Sequence, residues 1–242
     1  MEISQINSSL QRILIVEDND DLRNYLVDML KTSYNIQACP NGKDALIIIR
    51  EFNPDLVISD IMMPEMSGDE LCSAIKGDLE MSHIPVVLLT AQGDEKNMLE
   101  GLEIGADAYI TKPFSVGILK ATIKNLLANR ALLRQVYNSI EEEEQSFPVN
   151  CTNTLDWKFI ASVKECIEKN MGDPDFNVEM LSSRHHMSRT SFFNKLKVLT
   201  GYAPADYIRM IRLQHAAQLL KQGEYTIAEI TDMVGFSDAK YF

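Results

Sequence analysis

The sequence predicts two domains of different class: an α/β domain on a doubly wound, five-stranded parallel sheet, then an all-α domain. Three observations predict it. Through the first half, short apolar runs alternate with helical patterns of roughly 8 to 14 residues, which implies right-handed βαβ units. Residues 156–242 contain no convincing strand and read as helices joined by short turns. Charge is also unevenly placed: residues 1–130 carry 11 Lys+Arg against 20 Asp+Glu, net −9, whereas residues 156–242 carry 11 of each. At 242 residues the chain is long enough for both domains to bury a core.

In chain order, strands are expected at Ile13–Val16, Leu56–Ile58 and Val86–Leu89, with weaker ones at Tyr34–Ala38 and Ala108–Ile110. Helical patterns cover roughly Asp20–Lys31, Lys43–Phe52, Asp69–Lys76, Glu95–Ile104 and Val116 onward. The stretch DLVISDIMMPEMSG at 55–68 stands out, because its apolar run reads as a strand buried on both faces and Asp60 falls at the C-terminal end. The other strand ends carry Glu17 and Asp18 after the first, Thr90 after the fourth and Lys112 after the fifth. In such a sheet these ends converge on one crevice. Three carboxylates brought together repel unless a cation sits among them, and oxygen ligands with open positions suit Mg²⁺. Lys112 supplies a point charge for a carboxylate or phosphate, and Thr90 a hydroxyl for a phosphoryl oxygen. No His lies at a strand end to activate water. Taken singly, Asp60 reads as a turn residue, Thr90 as a strand-end hydroxyl and Tyr109 as a half-buried aromatic; the joint pattern is what argues for chemistry.

With VEDND at 16–20, SDIMMPEMSG at 59–68, VVLLTA at 86–91 and GADAYITKPF at 105–114, residues 12–128 resemble a response-regulator receiver domain. The resemblance implies a flavodoxin-like sheet of order 2-1-3-4-5. It implies that Asp60 is the phosphoacceptor, and that Glu17, Asp18, Asp60 and the backbone carbonyl of Met62 hold Mg²⁺. Thr90 and Lys112 are then expected to contact the phosphoryl group, Tyr109 to be an aromatic switch, and Lys112–Pro113 to be a cis peptide. Glu17 stands where many members have Asp and keeps the charge on a longer side chain. A sensor histidine kinase is the implied phosphoryl donor.

Beyond residue 128 the helix is expected to continue. Leu119, Leu126, Leu133 and Ile140 recur every seven residues, with Ile123 and Tyr137 between them; either the two heptads beyond the receiver form a parallel dimeric coil, or residues 119–127 pack on the receiver and the rest docks onto the second domain. The expected organisation is a receiver at 1–128, a helical connector and linker at 129–155, and a helical domain at 156–242. Cys39, Cys72, Cys151 and Cys166 have neither the spacing nor the histidine neighbours of a zinc site and read as reduced thiols. The N-terminus lacks the apolar core of a signal peptide and no run is long enough to span a membrane, so a cytoplasmic location is expected.

In the second half, Asn177 and Ser188 are expected to cap two helices separated by a tight turn at His185–Met187, the spacing of a helix-turn-helix. Phe192, Leu196 and Leu199 fall on one side of the second helix, and Thr190, Phe193, Asn194 and Lys197 on the other. An apolar back and a polar, basic and aromatic front suit a helix laid in a major groove, with Arg189 and Lys195 at the flanks for phosphates. Arg184, Arg189, Lys195, Lys197, Arg209, Arg212 and Lys221 face a single acid, Asp206, between 184 and 221, so the chain's net charge of −12 conceals a basic patch. Trp157 and Phe159 read as core anchors. The pattern returns later, with a capping box at Thr226 and Glu229, a buried face at Ile227 and Ile230 and a turn at Gly235–Phe236.

MSRTSFFNKLKVLTG at 187–201, RLQHAAQLL at 212–220 and IAEITDMVGFSDAKYF at 227–242 together resemble an AraC-type DNA-binding domain. The resemblance implies two reading units on successive segments of double-stranded DNA, with Lys240 serving the second. Two departures stand out. His186 occupies a turn position where Gly is usual and is expected to accept positive φ at mild cost. The sequence stops at Phe242, so the second reading helix is expected to be incomplete. The resulting expectation is a non-enzymatic, phosphorylation-switched transcription factor that dimerises on phosphorylation, or the output end of a longer two-component sensor. The alternative is a receiver that controls a protein interaction rather than DNA.

Overall fold

In the computed structural model, residues 10–91, 105–139 and 154–236 are described, except for the side chains of 129–139. The helix expected at 95–104 and Lys240 lie outside the described residues. The chain divides into two compact units, Met1–Asn129 and Arg130–Phe242.

The first unit runs β1 (Arg12–Val16), α1 (Asp20–Leu30), β2 (Asn35–Cys39), α2 (Gly42–Phe52), β3 (Leu56–Asp60), α3 (Gly68–Gly77), β4 (Val86–Ala91), β5 (Ala108–Lys112) and the first part of α4 (Val116–Ser139). All four ladders are parallel and the order is β2-β1-β3-β4-β5. Alternation along each strand divides the core between the two faces. Leu14, Val16, Val57, Val86 and Leu88 pack under α2 and α3 against Ala45, Ile49, Leu71 and Ile75. Ile13, Ile15, Leu56, Ile58, Val87 and Leu89 pack with Leu26 and Leu30 of α1 and Leu119, Ile123 and Leu127 of α4. Each such side chain contributes about 1.5–3 kcal/mol on burial. Both faces are therefore spent on core, and the free chemistry of the sheet is confined to its strand ends.

The first positions of the heptad stripe, Leu119, Ile123 and Leu127, are buried against the sheet, as the reading in which residues 119–127 pack on the receiver expects. Leu133 and Tyr137 have undescribed side chains, and Ile140 lies outside the described residues.

The loops after the strands are set by caps. Asn19 accepts from the Leu22 amide at 2.9 Å to start α1, and Asn41 accepts from Asp44 at 2.9 Å to start α2. Ser67 and Glu70 form a reciprocal capping box at α3. Gly68 follows that cap, and its amide donates to the Ile61 carbonyl at 2.9 Å. A Cβ at Gly68 would lie 2.1 Å from the Asp60 carbonyl oxygen, so only glycine lets α3 begin against the end of β3. Gly68→Ala is accordingly expected to cost about 2–4 kcal/mol, because backbone must move on one side or the other. Thermal unfolding of the isolated change, with the second unit as internal reference, reads that loss.

The second unit runs α5 (Thr154–Lys169), α6 (Val178–Arg184), α7 (Arg189–Thr200), α8 (Pro204–Gln222) and α9 (Ile227–Met233). Its core gathers Phe159, Ile160, Val163 and Ile167 of α5, Leu181 of α6, Phe192, Leu196 and Leu199 of α7, Tyr207, Ile208 and Ile211 of α8 and Ile230 of α9. Asn177 accepts from the amides of Glu179 and Met180, Ser188 accepts from Ser191, and Thr226 with Glu229 forms the second capping box. His186 takes φ 54°, the conformation its place in the turn demands. Phe159 is an anchor as expected, but Trp157 is 46% exposed and is not. The buried face of α5 runs through 156, 159, 160, 163 and 167, and Trp157 falls off it. Ile227, at the first position of α9, is also exposed, leaving Ile230 to carry the burial there.

Candidate functional site

The strand ends of the first unit build one crevice. Carboxylate oxygens of Glu17, Asp18 and Asp60 lie within 4.8 Å of one another, the one such acidic cluster among the described residues. Glu17 is buried and Asp18 exposed, so the cluster opens to solvent on one side. Lys112 reaches in from the end of β5, with its Nζ 2.9 Å from Glu17 Oε2 and 3.0 Å from Asp60 Oδ2. Asp60 Oδ1 accepts from the Ile61 amide at 2.9 Å, which fixes the carboxylate plane. The peptide Lys112–Pro113 is cis.

Electrostatics follow from this packing. Burial pushes the Glu17 carboxyl up, and the neighbouring Asp60 charge adds to the rise that Lys112 only partly offsets. Burial pulls the Lys112 ammonium down, but its hydrogen bonds to Glu17 and Asp60 outweigh that and hold it above the ordinary lysine range. One ammonium thus faces three carboxylates, and the set carries excess negative charge on hard oxygen donors. That donor set fits a divalent cation such as Mg²⁺.

Thr90 is buried on β4, and its hydroxyl donates to the Ala91 carbonyl at 3.3 Å. Its strand neighbour Leu89 is registered against Asp60. Tyr109 is half-buried on β5 and packs on the α2–α3 side of the sheet; its hydroxyl is buried and has no hydrogen-bond partner among the described residues. Burial, reinforced by Cys72 and Asp69, pushes that phenol up to about 12. Met62 follows two residues after Asp60, with its side chain 71% exposed.

The second unit presents the other candidate surface. Arg189, Thr190, Phe193 and Lys197 are exposed along α7 and Asn194 is half-buried, while Phe192, Leu196 and Leu199 turn inward. Lys197 Nζ sits 5.6 Å from the centre of the Phe193 ring, so the basic and aromatic parts of that face are in contact.

Lys195 corrects the sequence reading. It is fully buried, with Nζ 2.6 Å from Asp156 Oδ1 and 5.1 Å from the Phe159 ring centre, and is not available to a phosphate. Positions 192, 195, 196 and 199 form one stripe at i, i+3, i+4 and i+7, and Lys195 lies inside it. Arg212 is buried too, donating to the carbonyls of Gly235 at 3.0 Å and Asp173 at 2.6 Å. Of the seven basic residues counted between 184 and 221, these two serve the interior and five stay at the surface.

His185 was no candidate from sequence, yet it closes the turn. Its ring stacks on Phe192 at 5.8 Å and meets Phe159 edge-on at 5.6 Å, with Nε2 buried and without a hydrogen-bond partner among the described residues. Burial, with His186 beside it, holds the imidazole below its ordinary value of 6.5. The folded unit therefore favours neutral His185: its contribution is complete above pH 6.5 and is lost as pH falls toward the folded value. A thermal midpoint of the second unit that declines from about pH 7 to about pH 5.5, and declines less in His185→Leu, is expected.

A five-stranded parallel sheet whose strand ends gather three carboxylates, a lysine and a hydroxyl defines a receiver-type α/β domain, here followed by a helix-turn-helix unit. Comparison with known families agrees. Residues 13–124 match the response regulator receiver domain and residues 181–242 a helix-turn-helix domain. Histidine kinase P4 of Formosa agariphila is 43% identical over 231 residues, which is 95% of this chain but 17% of that protein. Sensor histidine kinase TmoS of Ectopseudomonas mendocina is 41% identical over 127 residues, 52% of this chain and 13% of its own length. The chain thus spans under a fifth of the length of either relative. Among solved structures, the signal receiver domain of a signal transduction histidine kinase from Syntrophus aciditrophicus is 35% identical, with TM-score 0.47, covering 57% of this chain and 98% of that one. The chain joins a response-regulator receiver domain at 13–124 to an AraC-type helix-turn-helix domain at 181–242. Among the described residues no helix is long and apolar enough to cross a membrane.

Proposed function

We propose that this chain accepts a phosphoryl group on Asp60 from the phosphohistidine of a sensor kinase and thereby controls sequence-specific binding to double-stranded DNA. The observation that carries the reading is Lys112 Nζ held between Glu17 and Asp60 at 2.9 and 3.0 Å, beside a carboxylate cluster open to solvent. A Mg²⁺ ion held by Glu17, Asp18, Asp60 and the Met62 carbonyl would supply the charge that phosphoryl oxygens require. In the transfer, the P–N bond of the donor breaks as a P–O bond to an Asp60 carboxylate oxygen forms, and the imidazole leaves. Lys112 neutralises charge on the transferred group, and Ile61 N–H keeps the acceptor carboxylate in its plane. The phosphorylated Asp60 gains roughly one negative charge over the free carboxylate. Thr90 is drawn toward it, and Tyr109, whose hydroxyl has no partner among the described residues, moves into the space.

Residues 1–128 then act as the input, 129–155 as connector and 156–242 as output, with Arg189, Thr190, Phe193, Asn194 and Lys197 facing the first DNA segment and Lys240 the second. No residue is assigned to catalysis on a further substrate; self-catalysed phosphorylation and hydrolysis of Asp60 are the expected chemistry. Dimerisation on phosphorylation would raise DNA affinity by linking two sites. Acetyl phosphate or beryllofluoride with Mg²⁺ is expected to shift both oligomeric state and binding to a duplex enriched from a random-sequence pool. A receiver that changes while DNA binding stays absent would favour the protein-interaction reading.

A further inference from the structure

We propose that Asp156 is a positioning residue for DNA reading: its buried ion pair with Lys195 ties the seating of the reading helix α7 to the first turn of α5. The DNA part of this inference rests on the function proposed above; the coupling between the two helices does not.

Asp156 lies in the first turn of α5, next after the linker in sequence, and is fully buried. Lys195 lies in the middle of α7, is equally buried and meets Asp156 at 2.6 Å, across 39 residues of sequence. Phe159, one turn further along α5, places its ring under the same ammonium at 5.1 Å and edge-on to Phe192 at 5.7 Å. The inner side of α7 is therefore held by two successive turns of α5, while Phe193, Asn194 and Lys197 occupy its outer side.

A pair buried this completely is a weak source of net stability, because desolvation of both ions offsets their attraction. Its consequence is conditional. Withdrawing one partner leaves a charge in an apolar core, an event that costs on the order of 100-fold or more in the equilibrium constant. An apolar residue at 195 would carry a much smaller penalty for the same withdrawal. Any movement that lifts the first turn of α5 thus forces Lys195 toward water and α7 with it. The linker attaches at that turn, so the pair makes the reading surface sensitive to what happens there.

Asp156→Asn keeps the shape and removes the counter-charge; Asp156→Asn combined with Lys195→Met removes the buried ammonium as well. Hydrogen exchange on the full chain is expected to rise about 100-fold at the amides of 192–200 in Asp156→Asn, to rise less at α9, and to return near wild type in the double variant. Trp157, the only tryptophan in the chain, adjoins Asp156 and reports the same turn by its emission. For DNA, the probe is the duplex selected by the wild-type chain, used at a temperature where circular dichroism shows both variants folded. Affinity is expected to fall at least ~10-fold in Asp156→Asn, with a shallower salt dependence, and to recover in the double variant. Protection at 192–200 unchanged in Asp156→Asn, or lost equally in every helix of the unit, overturns the coupling whatever DNA does. Lost protection with unchanged affinity overturns the positioning role. A wild-type chain that binds no duplex contradicts the proposed function, and the exchange data still decide the coupling.

Discussion

Asp60→Asn is expected to reduce phosphoryl uptake from acetyl phosphate to background while the receiver remains folded. The amide nitrogen that replaces Oδ2 has its lone pair delocalised into the carbonyl and is a poor nucleophile, and the remaining, uncharged oxygen accepts from the Ile61 amide at 2.9 Å. The cost to stability is small because two effects oppose each other. The change removes an ion pair with Lys112 at 3.0 Å, and it also removes a negative charge whose presence pushes Glu17 up. The net is within about 1 kcal/mol. Intact mass after incubation with acetyl phosphate and Mg²⁺ reads uptake directly, and a thermal midpoint near wild type separates lost chemistry from lost fold.

Gly235→Ala is expected to produce the largest loss of stability in the helical unit. Gly235 has φ 73°, a conformation that costs an L-residue about 1 kcal/mol, and an added Cβ would lie 2.4 Å from the Met171 carbonyl oxygen. That oxygen belongs to the backbone after α5 and cannot simply rotate away. Moving Gly235 instead would break its carbonyl's bond to Arg212 at 3.0 Å and leave a buried guanidinium with one acceptor fewer. Together these give about 3–5 kcal/mol. Gly223 is the control: its φ is 71°, but nothing lies within 4 Å of an added Cβ, so Gly223→Ala should show the backbone cost alone. Chemical denaturation of the two variants compares them, and equal losses would contradict the clash.

The receiver crevice was legible because its residues sit at strand ends, where chain topology alone brings distant positions together. Glu17 and Lys112 are 95 residues apart, yet the βαβ order places them within hydrogen-bond reach. The helical unit was legible in its caps, turns and apolar stripes, all of which are local. What was lost was partnership across the unit. Lys195 occupies a core position of its own helix, a signal available in the spacing, but nothing local points to Asp156 as the group that permits it. The same holds for Arg212, whose partners are backbone carbonyls that no side-chain pattern reveals. Trp157 was misplaced by composition, since a large aromatic was read as an anchor although the α5 stripe runs through Asp156 and Phe159. The heptad stripe was real as a periodicity, and its first positions, Leu119 and Ile123, are taken up by sheet packing.

The central claim is that charge on Asp60 governs DNA binding by the same chain. Its most direct test is the affinity of the full chain for its selected duplex, measured with and without beryllofluoride and Mg²⁺ at one fixed salt concentration, for wild type and Asp60→Asn. A gain of at least ~10-fold in the wild type that is absent in Asp60→Asn is predicted. Equal affinities in the wild type with and without the mimic, with the mimic shown to be bound, would contradict it.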